Sequence, residues 1–187
     1  MIPFFGAGRE FKEYGPKAMA LARGVLSGGR WLQSEHVSRF EARLAAFTGR
    51  RFGVAVNSCT DALYFALVAA GVKPGDEVLV TDYSFVASAS PILRAQAVPV
   101  FVDIDSDQLM DLDNARALAG PKAKALVLVH LYGQMADPAA AEAFAKERNL
   151  ILIEDAAQAI GAARGGRKAG SLGLASTISF DPTKPIS

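Results

Sequence analysis

Short, nearly unbroken apolar runs at regular intervals constrain this chain more than any other feature. EVLVT (77–81), VPVFVDI (98–104), ALVLVHL (125–131) and LILIE (150–154) are rich in Val, Ile and Leu and carry little polar alternation. A strand with one face in water alternates apolar and polar side chains; a strand covered on both faces does not. FGVAV (52–56) and STISF (176–180) extend the series at its two ends. Helical stretches fall between the runs, at 59–70, 85–96, 112–119 and 138–148, with a helical turn around Gln158. This order predicts an α/β fold, a mostly parallel, doubly wound sheet between helical layers.

The first fifty residues differ. A helix is expected over 16–26, stopped by Ser27-Gly28-Gly29. A second starts at the N-cap Ser34, sets Val37, Phe40, Leu44 and Phe47 on one stripe, and ends at Gly49. Residues 1–50 are therefore read as an N-terminal helical segment that packs outside the sheet or against a partner, and 51–187 as the sheet domain.

Composition excludes several classes. Lys+Arg 20 against Asp+Glu 19 leaves +1, which argues against a nucleic-acid binder. One Cys excludes a disulfide framework and a thiolate zinc cluster, and two His, at 36 and 130, leave little for a metal site. No run approaches the ~18–20 apolar residues of a membrane span; the best, 125–131, is interrupted by His130. The N-terminus lacks a basic region followed by an apolar one, so no leader and a cytoplasmic location are expected.

Open parallel sheets bind ligands beyond the carboxyl ends of their strands. The residues just past each run are therefore the candidates. Asn57-Ser58-Cys59-Thr60 opens a helix and could cradle a phosphate with free N–H groups, or merely cap the helix through Ser58. In Asp82-Tyr83-Ser84-Phe85 an aromatic could cover a flat ring or belong to the core. Asp155, after Glu154, could pair with a cationic ligand nitrogen or cap the following turn. Lys184 could be a solvated cation or an amine that traps carbonyls. Cys59 has no base near it in sequence. Gly165-Gly166-Arg167-Lys168-Ala169-Gly170 precedes a strand and reads as a flexible connection in preference to a phosphate site, and Gly6-Ala7-Gly8 lacks the context of a dinucleotide fingerprint. His130 is read as a core or cleft-lining residue inside a strand, His36 as a helix-surface residue.

The segments NSCTDALYFAL, PGDEVLV, DYSFVASA, PVFVDID, EDAAQAIGA, GSLG and SFDPTK, in this order, resemble the nucleotide-sugar aminotransferases of the DegT/StrS type, from about Ile2 to the last residue. That resemblance implies a three-layer α/β/α large domain of the pyridoxal-phosphate (PLP) transferase fold type I. It makes 51–187 the PLP-binding large domain, incomplete and ending just after the Schiff-base lysine. Family members are about twice as long, so the chain reads as an N-terminal half without the small C-terminal domain. One further strand of that fold, between the first and sixth read here, is expected to be missing.

The resemblance also implies roles. Lys184 matches the lysine that forms the internal aldimine and carries the proton. Asp155 matches the carboxylate on the pyridine nitrogen, and Gln158 the amide along the ring near its hydroxyl. Phe85 matches the stacked aromatic. Cys59, Thr60 and Ser179 match phosphate donors, Cys59 standing where many relatives have Gly. The implied reaction moves an amino group, usually from glutamate, to a keto-deoxysugar nucleotide, in a homodimer with a shared active site. Two alternatives stand beside it: an inactive truncated remnant or interaction module, and a PLP-dependent sugar dehydratase, a branch in which histidine replaces the lysine.

Overall fold

The computed structural model describes residues 7–32 and 34–185. They divide into two compact units, one of residues up to 47 together with 51–55, the other of 48–50 together with 56 onward.

The first unit contains helix α1 (Ala7–Ser27) and most of α2 (Glu35–Thr48). The sequence predicts a helix from Pro16, a residue the first turn of a helix accommodates. The helix instead runs through Pro16, over a stretch holding the good helix formers Arg9, Glu10, Lys12 and Glu13. Ala7 and Gly8 belong to this helix, while Ile2 and Gly6 lie outside the described residues. Gly49 follows α2 in the left-handed region (φ 72°), as its placement predicts.

FGVAV is not a strand. Residues 52–56 form no ladder with any described strand, and Phe52 and Val54 are 70% and 79% exposed. Ala55 N donates instead to Glu41 Oε1 at 2.8 Å. Side-chain pattern favours a strand here, but a strand also needs a neighbour to bond.

The second unit is an α/β sheet domain. After α3 (Cys59–Ala69) come β1 (Glu77–Thr81), a 3-10 turn (Val86–Ser88), α4 (Ser90–Arg94), β2 (Val98–Val102) and α5 (Leu112–Leu118). Then follow β3 (Ala123–Val129), a second 3-10 turn (Leu131–Gly133), α6 (Pro138–Glu147) and β4 (Ile151–Asp155). The hairpin β5 (Ala163–Arg164) and β6 (Arg167–Lys168) and the short β7 (Ala175–Thr177) close the unit. The five strands of the main sheet run in the order β2-β1-β3-β4-β7, all parallel.

Unbroken apolar strands fill both faces of this sheet. Val78, Val80, Ala125, Val127 and Ile153 pack on one side with Leu63 and Leu67 of α3 and Ile92 of α4. Leu79, Leu126, Leu128 and Leu152 pack on the other with Ala115 of α5 and Phe144 of α6. Three layers result, as expected. The helix read over 85–96 is broken into the 3-10 turn and α4, with Pro91 in the first turn of α4. Gln158 lies in a turn without helix, and His130 lies just past β3 instead of inside it. Gly165 and Gly166 are no flexible connection: both have positive φ (57° and 75°), which closes the β5–β6 hairpin.

Candidate active site

β1, β3, β4 and β7 end at one edge of the sheet, and the chemistry-bearing side chains cluster beyond it. The chain leaves β1 for β2 on one side and reaches β3 on the other, so β1 and β3 flank the point where the strand order reverses, the usual ligand crevice of such sheets.

Asp155 is the last residue of β4 and is buried. Ser88 Oγ donates to its Oδ2 at 2.7 Å and Ala157 N to its Oδ1 at 3.1 Å. Among the described residues no cation forms an ion pair with it. Burial pushes its pKa above the ordinary carboxylate value, only partly offset by Ser88 and Ala157. A carboxylate held in this way gains from any cationic N–H brought to it.

Cys59 starts α3, capped by Ser58, whose Oγ accepts from Asp61 N at 3.1 Å. The capping reading of this turn is thus correct, and it leaves the N–H groups of Cys59 and Thr60 with no protein acceptor among the described residues. They add to the positive end of the α3 dipole. The Cys59 thiol is pushed up to about 11, first by burial and then by Asp155, with a hydrogen bond to Thr177 acting the other way. Thr60 lies half-buried in the same turn.

Phe85 is 64% exposed, so the core alternative for it fails. Its ring faces Lys184, with Nζ 5.8 Å from the ring centroid. Lys184 is half-buried in the turn after β7, its N–H bonded to Asp181 O at 2.8 Å. Its charge reaches both Asp155 and Cys59, stabilising the charged form of each. Ser179 is buried, and its Oγ accepts from Asp181 N at 3.3 Å. Gln158 Oε1 accepts from Tyr132 N at 2.7 Å.

Asp155, Cys59, Lys184 and Phe85 are thus brought together; Thr60 adjoins Cys59 in its turn, while Gln158 and Ser179 are held by Tyr132 and Asp181. Sequence reasoning missed Ser88 and Tyr132, and named Tyr83, His130 and Glu154 without their partners. Ser88 lies one helical turn past Phe85 and supplies the Asp155 bond. Tyr83 and Tyr132, after β1 and β3, meet edge to face with their hydroxyls 3.3 Å apart. Behind the site, Glu154 is fully buried and accepts from His130 Nε2, Gly170 N and Leu172 N, each at 2.8 Å. Arg50 binds the carbonyls of Gly170, Leu172 and Gly173 beside it. Burial pushes the Glu154 pKa up, but the bonds from His130, Gly170 and Leu172 win and hold it below the ordinary range. Among the described residues no group of His, Cys, Asp and Glu could hold a metal ion, and no helix is long and apolar enough to cross a membrane.

The profile of the DegT/DnrJ/EryC1/StrS aminotransferase family matches residues 13–187. The chain is 43% identical over 186 residues to the pleiotropic regulatory protein of Geobacillus stearothermophilus, covering 99% of this chain and 50% of that protein. It is 36% identical to the UDP-2-acetamido-2-deoxy-3-oxo-D-glucuronate aminotransferase of Pseudomonas aeruginosa, covering 100% and 52%. Among solved structures, S. venezuelae DesV in complex with a ketimine intermediate superimposes with a TM-score of 0.94 at 36% identity, covering 98% of this chain and 50% of that one. The chain therefore spans about half the length of the relatives it matches.

Proposed function

Since this chain belongs to the DegT/DnrJ/EryC1/StrS aminotransferase family, we propose that it carries the PLP-binding half of a nucleotide-sugar aminotransferase. Residues 51–187 are the cofactor-binding domain in this reading, and 1–50 the helical segment before it. The observation that carries it is Asp155, a buried carboxylate lacking a cationic partner among the described residues, with Lys184 close enough to stabilise its charge. The residues present fit PLP. Its pyridine N–H answers the Asp155 carboxylate, its phosphate the free N–H groups of Cys59 and Thr60, and its flat ring the exposed face of Phe85.

When bound, PLP supplies an aldehyde that exchanges with amines and a ring that accepts electron density from the adjacent carbon. The protein does the rest. Asp155 holds a proton on the ring nitrogen, keeping the ring electron-poor. Lys184 would tether the cofactor through Nζ and, once displaced by the incoming amine, would use that atom to take a proton from, or return one to, the substrate carbon that bears the nitrogen. The Thr60 hydroxyl and buried Ser179 complete the phosphate cradle, and Gln158 lines the ring edge. Lysine at this position, where the dehydratase branch has histidine, favours amino transfer over deoxygenation. The amino donor is glutamate and the acceptor a keto-deoxysugar nucleotide, bound across a homodimer in the cytoplasm. The kinship to the P. aeruginosa enzyme supports this substrate class.

The test is a PLP titration of the purified chain, followed by borohydride reduction and peptide mass mapping. An adduct on Lys184 that Lys184→Ala abolishes supports the reading. A folded chain that takes up no PLP, or an adduct elsewhere, overturns it.

A further inference from the structure

Two serines lead away from Asp155 into the turn that carries Phe85. Ser88 Oγ is 2.7 Å from Asp155 Oδ2, and Ser84 Oγ is 2.8 Å from Ser88 Oγ. Ser88 is buried and Ser84 half-buried. An ionised carboxylate can only accept, and a hydroxyl has one proton to give. While Asp155 is charged, Ser88 must therefore spend its proton on Asp155, and Ser84 must donate to Ser88. Protonation of Asp155 removes the demand that fixes both directions.

We propose that Ser84 and Ser88 form a two-hydroxyl donor chain that keeps Asp155 ionised and its carboxylate turned toward the ligand. Ser88 and Ala157 N each take one lone pair of Asp155, on different oxygens. The plane of the carboxylate is thereby set while each oxygen retains accepting capacity. Ser88 also ends the turn begun by Phe85, its N–H bonded to Phe85 O at 2.9 Å. One turn therefore fixes both the ring-facing aromatic and the carboxylate. The two serines are positioning residues: neither need touch the substrate.

Other titratable and charged groups lie within electrostatic reach of Asp155: Cys59 from α3, His130 after β3 and Lys184 after β7. Ser88 is closer than any of these in effect, since its bond is the largest influence opposing burial. Hydrogen bonds to charged groups are among the stronger ones. Removing this one should raise the proton affinity of Asp155 about tenfold, or about one pH unit.

This inference rests on the reading of Asp155 as the ring-nitrogen partner, but its test does not need the cofactor. The Asp155 carboxyl is titrated by carbon-13 NMR in the full chain, in wild type, Ser88→Ala, Ser88→Thr and Ser84→Ala. The expected midpoint rises by about one pH unit in Ser88→Ala, stays put in Ser88→Thr, and rises by a smaller amount in Ser84→Ala. A midpoint unchanged in folded Ser88→Ala overturns the proposal; so does an unchanged Ser84→Ala, which keeps the test decisive if Ser88→Ala does not fold. A merely structural serine would lower stability without moving the midpoint. Borohydride trapping on the same samples separates the two readings. A shifted midpoint without a Lys184 adduct in wild type leaves the donor chain standing and removes the cofactor reading. An adduct with an unshifted midpoint does the reverse.

Discussion

His130 Nε2 stands 2.8 Å from Glu154 Oε1, with both side chains shut off from solvent. His130 Nδ1 accepts from Ala136 N at 3.3 Å, so the ring proton sits on Nε2 and is donated to the carboxylate. With the N–H groups of Gly170 and Leu172, this makes Glu154 a fully supplied buried anion.

Breaking that arrangement leaves donors without an acceptor. Glu154→Ala is expected to cost about 3–5 kcal/mol of folding stability. Urea unfolding of the variant against wild type measures it; a loss under about 1 kcal/mol would mean that the pocket relaxes around the missing anion.

Acid should expose the same group. The Glu154 pKa is lowered on folding from an ordinary value of 4.5, so its contribution is present above about pH 4.5 and is lost as pH falls through the depressed folded value. Asp155 has the opposite sign. Its folded pKa is raised from 3.8, so the unliganded protein loses stability as pH rises from there through the folded value. Unfolding curves of Asp155→Asn across pH 3 to 8 should lack this second component; identical pH profiles for variant and wild type would contradict the assignment.

Cys59 should be slow to alkylate. With a thiol pKa of about 11, only about one molecule in a thousand is thiolate at pH 8. Iodoacetamide should therefore label the native chain far more slowly than the urea-unfolded one. Equal rates would place Cys59 in water.

Gly173 has φ 62°, and a Cβ there would run into the backbone oxygen of Leu152 on β4. Gly173→Ala is expected to cost more than about 2 kcal/mol, from left-handed strain plus this clash. Thermal unfolding checks it, with Gly161→Ala as a control in which φ is also positive (89°) but the space is open.

Strands β1, β3 and β4 were legible because burial on both faces writes itself into composition: Val127 and Leu128 are both fully buried on opposite sides. Residues 52–56 were misread because apolar pattern does not disclose whether a strand finds a neighbour. Lys184, Asp155 and Phe85 could be nominated because each sits at or just past the carboxyl end of an apolar run, where such sheets take their ligands. Ser88 could not, since its aim depends on a 3-10 turn where periodicity suggested a longer helix. His130 and Glu154 are 24 residues apart in sequence, and only the lateral pairing of β3 with β4 brings them within a bond.

Side chains on β4 alternate between faces, so the neighbours Glu154 and Asp155 point opposite ways, one into a nest of donors and one toward the ligand edge. A slip of β4 by a single residue would turn both to the wrong face. Shifted one way, Ile153 would meet the donors around His130 and Glu154 would crowd the crevice; shifted the other, the shorter Asp155 would fall short of His130 and Ala156 would stand at the crevice. The buried His130–Glu154 pair is thus also a spelling check on the strand. Single-residue insertions or deletions within 151–153 should be among the least forgiving lesions in the chain.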